Sequence, residues 1–190
     1  MACKNSAVNQ KTPTELYMDI AYEFTNYCTN DVKFKIVMSK LCQQYFNTFI
    51  DKTQRLDKNN QHRVIIYKGF MNMIGIMYSN DIFPIDIILV CFNKIINMIL
   101  SDDVPYEDRD NYYGGYERLM NRVLCYFEKK TNTTKIISDF NRIKSTLQTI
   151  NNNITLACEA TPKPIKMFSL ITHKQNIERL TLLCNIYEKN

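Results

Sequence analysis

Apolar positions recur every three or four residues through most of this chain, in blocks separated by short polar breaks. That period matches the 3.6-residue turn of an α-helix rather than the two-residue alternation of a strand. Thr14 can cap a first helix, with Leu16, Tyr17, Ile20, Phe24 and Tyr27 sharing one face. A second helix follows Asn30-Asp31, and Phe34, Val37, Met38, Leu41, Tyr45 and Phe49 are predicted as its buried stripe. Residues 54–60 are polar and interrupt the pattern. The spacing then predicts a third helix over about 62–78 and a fourth over about 84–100, where Pro84 suits the first turn. Between them lies the polar turn Ser79-Asn80-Asp81, so residues 67–96 read as a helical hairpin.

Residues 101–111 form an acidic stretch with Pro105, predicted as a loop too polar to be packed. A fifth helix is expected over 113–130, its stripe Tyr116, Leu119, Met120, Val123, Leu124 and Phe127, ending on Lys129-Lys130 to complement the helix dipole. Gly114-Gly115 would weaken its start and mark a kink or boundary. A sixth helix is expected over 134–150, followed by a less regular stretch to 164 and two shorter helices over about 165–173 and 175–188. About eight helices in four antiparallel pairs result, each pair spanning about 40 residues, the length of a HEAT-type unit. The expected fold is therefore all-α: a HEAT-type solenoid of about four helical hairpins, with a globular bundle as the alternative.

Composition agrees with this class. Only 4 glycines and 5 prolines occur in 190 residues, so long helices meet few breakers. The length suits one domain, placed at 14–190, with the polar residues 1–13 read as a flexible N-terminal arm. The longest mainly apolar run, 82–92, contains Pro84 and Asp86 and falls well short of the roughly 20 residues a membrane span needs. Seven cysteines without a CxxC or CxH pair point to a reducing compartment, and the chain is expected to be cytoplasmic. The 21 asparagines, with abundant Ile and Lys, fit a gene from an AT-rich genome such as that of a large DNA virus or a protozoan.

Signatures of catalysis are not found. With four glycines there is neither a GxxxxGK[ST] nor a GxGxxG loop. His62 and His173 are the only histidines, neither has a further ligand at metal spacing, and each is expected at the surface or as a cap. The acidic cluster Asp102, Asp103, Glu107, Asp108 and Asp110 lacks the alternating spacing and central glycine of a calcium loop. No catalytic residue, metal or cofactor is expected, and the chain is read as a non-enzyme. A net charge of +5 permits weak, salt-sensitive RNA contact without sequence preference, through basic groups that include Lys163 and Lys166.

The order of the blocks resembles the middle domain of eukaryotic initiation factor 4G (the MIF4G domain). Three stretches carry the resemblance: residues 32–52 with Leu41-Cys42-Gln43 at their centre; residues 66–96, with a Met-x-Ser/Thr-x-x-Ile turn from Met77 to Ile82; and residues 116–130 followed by Phe140-Asn141-Arg142-Ile143. Together they cover about 21–179. The family often has Gly-Glu-Leu in its central helix, whereas residues 69–73 here are Gly-Phe-Met-Asn-Met, and the family's first helix or two are missing. The resemblance implies a scaffold that docks a DEAD-box RNA helicase of the initiation factor 4A type and promotes its RNA-dependent ATPase cycle. It places the partner contact around Tyr67, Lys68, Phe70 and Met71, with RNA contact at Lys163 and Lys166. A cap-binding motif of the form Tyr-x-x-x-x-Leu is absent, since Tyr17 is followed by Tyr22 and Glu23, so a cap-binding protein would need a non-standard surface. The chain is expected to be monomeric outside its complex. Two other readings stand beside this one: a related scaffold of mRNA decay or splicing, and a viral helical bundle that captures a host apoptotic or immune factor in an apolar groove.

Overall fold

A computed structural model describes residues 32–51, 56, 57, 59–129, 134–160 and 167–187. The described residues form six α-helices and no strand: α1 Val32–Ile50, α2 Gln61–Ser79, α3 Ile85–Leu100, α4 Tyr106–Lys129, α5 Thr134–Ala160 and α6 Met167–Tyr187. The all-α class expected from periodicity is the class observed. The first expected helix, at 14–27, and the arm at 1–13 lie outside the described residues.

Local chemistry accounts for the helix ends. The Asn60 side chain accepts the Arg63 N–H at 3.1 Å and so satisfies one of the four orphan donors of α2. After α2, Asp81 turns the chain at φ 56°, a left-handed conformation that a short polar side chain tolerates. The Ile82 N–H then donates back to the Met77 carbonyl at 2.9 Å, and Ile82 and Phe83 are both buried beneath the turn. Pro84, in extended backbone, is the N-cap of α3, where its missing N–H costs nothing. Arg109 donates to the Val104 and Ser101 carbonyls at 3.1 and 3.0 Å, tying the short α3–α4 connection to the start of α4.

Packing follows an alternating plan. α4 lies centrally, against α2 most extensively and then α3 and α6, while α3 also meets α5 and α1. Helices two places apart in the chain are therefore stacked: α1, α3 and α5 in one row, α2, α4 and α6 in the other. Consecutive helices α2 and α3, α3 and α4, and α5 and α6 join the rows. The core runs along α4 through Tyr112, Tyr113, Tyr116, Leu119, Val123 and Phe127, met by Tyr67 and Met71 from α2 and Ile88 and Phe92 from α3.

Several expectations are corrected. The stretch 101–111 is not an unpacked loop: α4 begins at Tyr106, and Val104 and Asp108 are buried. The acids Glu107 and Asp108 occupy its first turn, where the helix dipole favours negative charge. Gly114-Gly115 does not interrupt α4. A Cβ on Gly115 would collide with the Tyr67 ring, and one on Gly114 with the end of Lys68, so the pair is a notch for close helix approach. α5 continues through 151–160, because Ile150 and Ile154 carry its buried stripe past the three asparagines. The last two short helices are a single helix, α6, which passes through the expected division at 172–174. The polar stretch 54–60 contains the fully buried Leu56, whose N–H donates to the Tyr112 hydroxyl at 3.3 Å and whose carbonyl accepts from Asn111 at 2.8 Å. In α1 the buried face is Cys42, Phe46 and Phe49, while Val37, Leu41 and Tyr45 of the expected stripe are exposed.

Candidate functional site

α2 carries the residues expected to meet a partner, and its position decides their availability. It is flanked by α1 and α4, so the side chains pointing to either are consumed by packing. Tyr67 is fully buried and its hydroxyl donates to the Tyr112 carbonyl at 3.2 Å. Phe70 stacks edge-on with Tyr45 at 5.0 Å and sits 5.7 Å from Phe49, again in the core. Met71 is fully buried. Lys68 is half-buried, its chain lying over Gly114. Of the four, only Lys68 is reachable from solvent; Tyr67, Phe70 and Met71 are buried in the core. Lys163 and Lys166 lie outside the described residues.

A second location was not foreseen. Between α1 and α3 there is a cleft of about 280 Å³ lined by Ser39, Cys42, Gln43, Phe46, Ile74, Asp86, Ile87, Val90, Cys91 and Lys94. Its floor is apolar, and both charged residues at its rim are engaged. Asp86 is ion-paired with Arg142 of α5, and Lys94 donates to Asn47 at 3.3 Å. Burial pushes the Cys42 thiol up to about 11 and the Cys91 thiol to about 12. Both are therefore neutral near pH 7 and poor nucleophiles. Chemically the cleft can accept an apolar group and little else.

The titratable side chains elsewhere serve packing. His173, expected at the surface, is buried between α4 and α5, with its ring 6.4 Å from Tyr113 and 6.2 Å from Tyr116. Its Nε2 lies 3.2 Å from Asn151 Oδ1, a contact that fits an Nε2–H donor, and burial lowers its pKa to about 4. Arg179 of α6 reaches three side chains of α4: Glu128 at 2.8 and 3.1 Å, Asn121 at 2.8 Å and Cys125 at 3.6 Å. The Tyr78 hydroxyl donates to the buried Asp139 at 3.2 Å, and Lys135 pairs with Asp81 across the α2–α3 turn. Among the described residues, no three His, Cys, Asp or Glu side chains gather to hold a metal ion. No described helix is long and apolar enough to cross a membrane.

Sequence reasoning missed the cleft and the exposed flank of α1 because it assigned α1 a single apolar stripe. A signal was present. Phe34, Val37, Leu41 and Tyr45 form one i, i+3, i+4 ladder and Met38, Cys42, Phe46 and Phe49 form another, so apolar character covers more than one face. In comparisons with known proteins, the chain matches no protein-family model, no curated protein and no solved structure.

Proposed function

We propose that the chain is a helical scaffold that docks a DEAD-box RNA helicase of the initiation factor 4A type and promotes its RNA-dependent ATPase cycle, with no chemistry of its own. The observation that carries this reading is the alternating packing, in which each helix rests on the one two places along. Stacked hairpins of this kind expose edges and turns over a long surface, the form that scaffolds use to hold a second macromolecule. The resemblance of residues 32–52, 66–96, 116–130 and 140–150 to the middle domain of initiation factor 4G suggests the partner class. Lys68 marks the part of α2 that a partner can reach, beside Gly114 of α4.

The test combines purified full chain with an initiation-type helicase and RNA, and measures ATP turnover and binding. A rise in turnover, weakened by Lys68→Glu, is the expected result. If the helicase neither binds nor changes its rate, the reading fails; binding instead to a helicase of mRNA decay or splicing moves the scaffold to that pathway. One observation favours a second reading, capture of a host apoptotic or immune factor: the apolar cleft between α1 and α3. Affinity capture after nuclease treatment separates the two by which class of protein is recovered.

A further inference from the structure

The stretch that holds α1 and α2 concentrates one sign of charge. Residues 32–79 contain eight Lys and Arg against two acids, Asp51 and Asp57, a net +6 where the whole chain carries +5. α1 and α2 themselves hold Lys33, Lys35, Lys40, Arg63 and Lys68, with no Asp or Glu. Lys35 donates to the Asp81 backbone carbonyl, a neutral acceptor, at 3.1 Å, and Lys40 is exposed. Beside these cations lies a bare apolar row. Val37, Leu41 and Tyr45 recur every four residues along one side of α1 and are 52%, 54% and 46% exposed. Lys40, three residues after Val37, stands on the flank of that row. Tyr45 meets Phe70 of α2 edge-on at 5.0 Å, and Ile66, one turn before Phe70, is 37% exposed. The row therefore continues from α1 onto α2. It lies on the side of α1 away from the cleft, which α1 lines with Ser39, Cys42, Gln43 and Phe46.

We propose that this face docks an acidic amphipathic helix of a partner protein. The apolar stripe of that helix, at i and i+4 spacing, seats against Val37, Leu41, Tyr45 and Ile66, and Asp or Glu beside the stripe meet Lys40 and its basic neighbours. The inference needs no helicase and stands apart from the function proposed above. Charge complementarity selects the sign of the partner, because two adjacent helices without an acid repel a basic helix and steer an acidic one. The apolar row selects a helix over RNA. A phosphate backbone would engage the lysines but leave Val37, Leu41 and Ile66 bare, and aliphatic side chains offer bases no stacking platform. The row also has the right length: Val37 to Tyr45 rises about 12 Å along α1, which a partner helix of about three turns covers.

Selection on the full chain from a phage-displayed library of helical peptides, each of about sixteen residues, tests this, with affinities of the enriched peptides then read by fluorescence anisotropy. Enriched peptides are expected to carry apolar residues at i and i+4 flanked by Asp or Glu, and to bind more weakly as salt rises. Leu41→Asp and Lys40→Glu, both at exposed positions, are each expected to weaken binding at least about ten-fold while the circular dichroism of the chain stays unchanged. Val90→Asp, in the cleft between α1 and α3, is expected to leave binding unaltered. A selection that enriches no helix, or only helices without acids, overturns the proposal. So does binding that ignores both Leu41→Asp and Lys40→Glu, or that is lost with Val90→Asp. Three controls cover the other occupants: poly-uridine RNA, phosphatidylglycerol vesicles, and light scattering for a dimer. Leu41-dependent binding in any of these, with no acidic peptide bound, assigns the face to that occupant and also overturns the proposal.

Discussion

Adding one methyl group at Gly115 probes the α2–α4 contact at its tightest point. A Cβ there would fall on the edge of the Tyr67 ring, meeting Cε1 and Cζ and lying 2.6 Å from the hydroxyl. The ring has no room to retreat: it is fully buried, with Phe49 at 5.3 Å and Tyr112 at 6.0 Å, and its hydroxyl is engaged on the Tyr112 carbonyl. Overpacking of this kind costs about 1–3 kcal/mol, and weakening the hydroxyl bond adds about 0.5–1.5 kcal/mol. Against this, alanine is favoured over glycine within a helix by about 1 kcal/mol. The balance is a destabilisation of about 2 kcal/mol for Gly115→Ala. The neighbouring Gly114→Ala meets only the flexible end of Lys68, so there the helix propensity prevails and stability rises by up to about 1 kcal/mol. Urea unfolding followed by circular dichroism reads both. With a slope of roughly 2 kcal/mol per molar, Gly115→Ala lowers the midpoint by about 1 M and Gly114→Ala raises it slightly. A Gly115→Ala midpoint at or above that of the unaltered chain would refute the notch.

Three other outcomes follow from the buried polar groups. His173 has its pKa lowered from 6.5 to about 4 by burial. The unfolded chain thus takes up a proton below pH 6.5 that the folded chain refuses until about pH 4. The contribution is complete above pH 6.5 and falls by up to about 3 kcal/mol toward pH 4; His173→Gln should remove this component when unfolding midpoints are compared across that range. Tyr78→Phe leaves Asp139 without its Tyr78 donor and is expected to cost about 1–3 kcal/mol in the same unfolding assay, whereas an unchanged midpoint would mean that Asp139 is satisfied otherwise. Cys42 and Cys91, held neutral by burial, should resist alkylation at pH 8 in the folded chain and react on unfolding, with mass spectrometry after digestion locating the label.

Helix type and most helix centres were legible in the sequence because an α-helix buried on one side repeats its apolar residues at 3.6, and α2, α3 and α5 do so without interruption. Boundaries were less legible where local chemistry and burial disagree. The start of α4 is acidic and polar, yet Tyr106 opens the helix because Glu107 and Asp108 suit its positive end and Val104 anchors the loop beneath it. The glycine pair read as a breaker because local propensity says nothing of the Tyr67 ring, 48 residues before Gly115 in the chain. Thr172, His173 and Lys174 read as a division for the same reason: a buried histidine between two tyrosines looks polar in sequence and belongs to the core in space.

The burial of the expected site residues was hidden for a related reason. An aromatic-rich helix such as α2 is equally compatible with recognition and with packing, and only its neighbours decide. With α1 on one side and α4 on the other, Tyr67, Phe70 and Met71 have no surface left to offer. The same logic applied to α1 gives the opposite result. Its sequence-read stripe and its buried face share only Phe49, with Met38 half-buried beside it, so the helix carries apolar side chains on more than one face. α3 meets one of those faces, and Val37, Leu41 and Tyr45 mark the other. Three half-exposed large apolar side chains in one ladder, beside an exposed Ile66, are more than scattered surface residues require. The fate of that face therefore bears on the scaffold reading as well. A partner of the proposed scaffold can meet that face as well as the turns and edges of the rows.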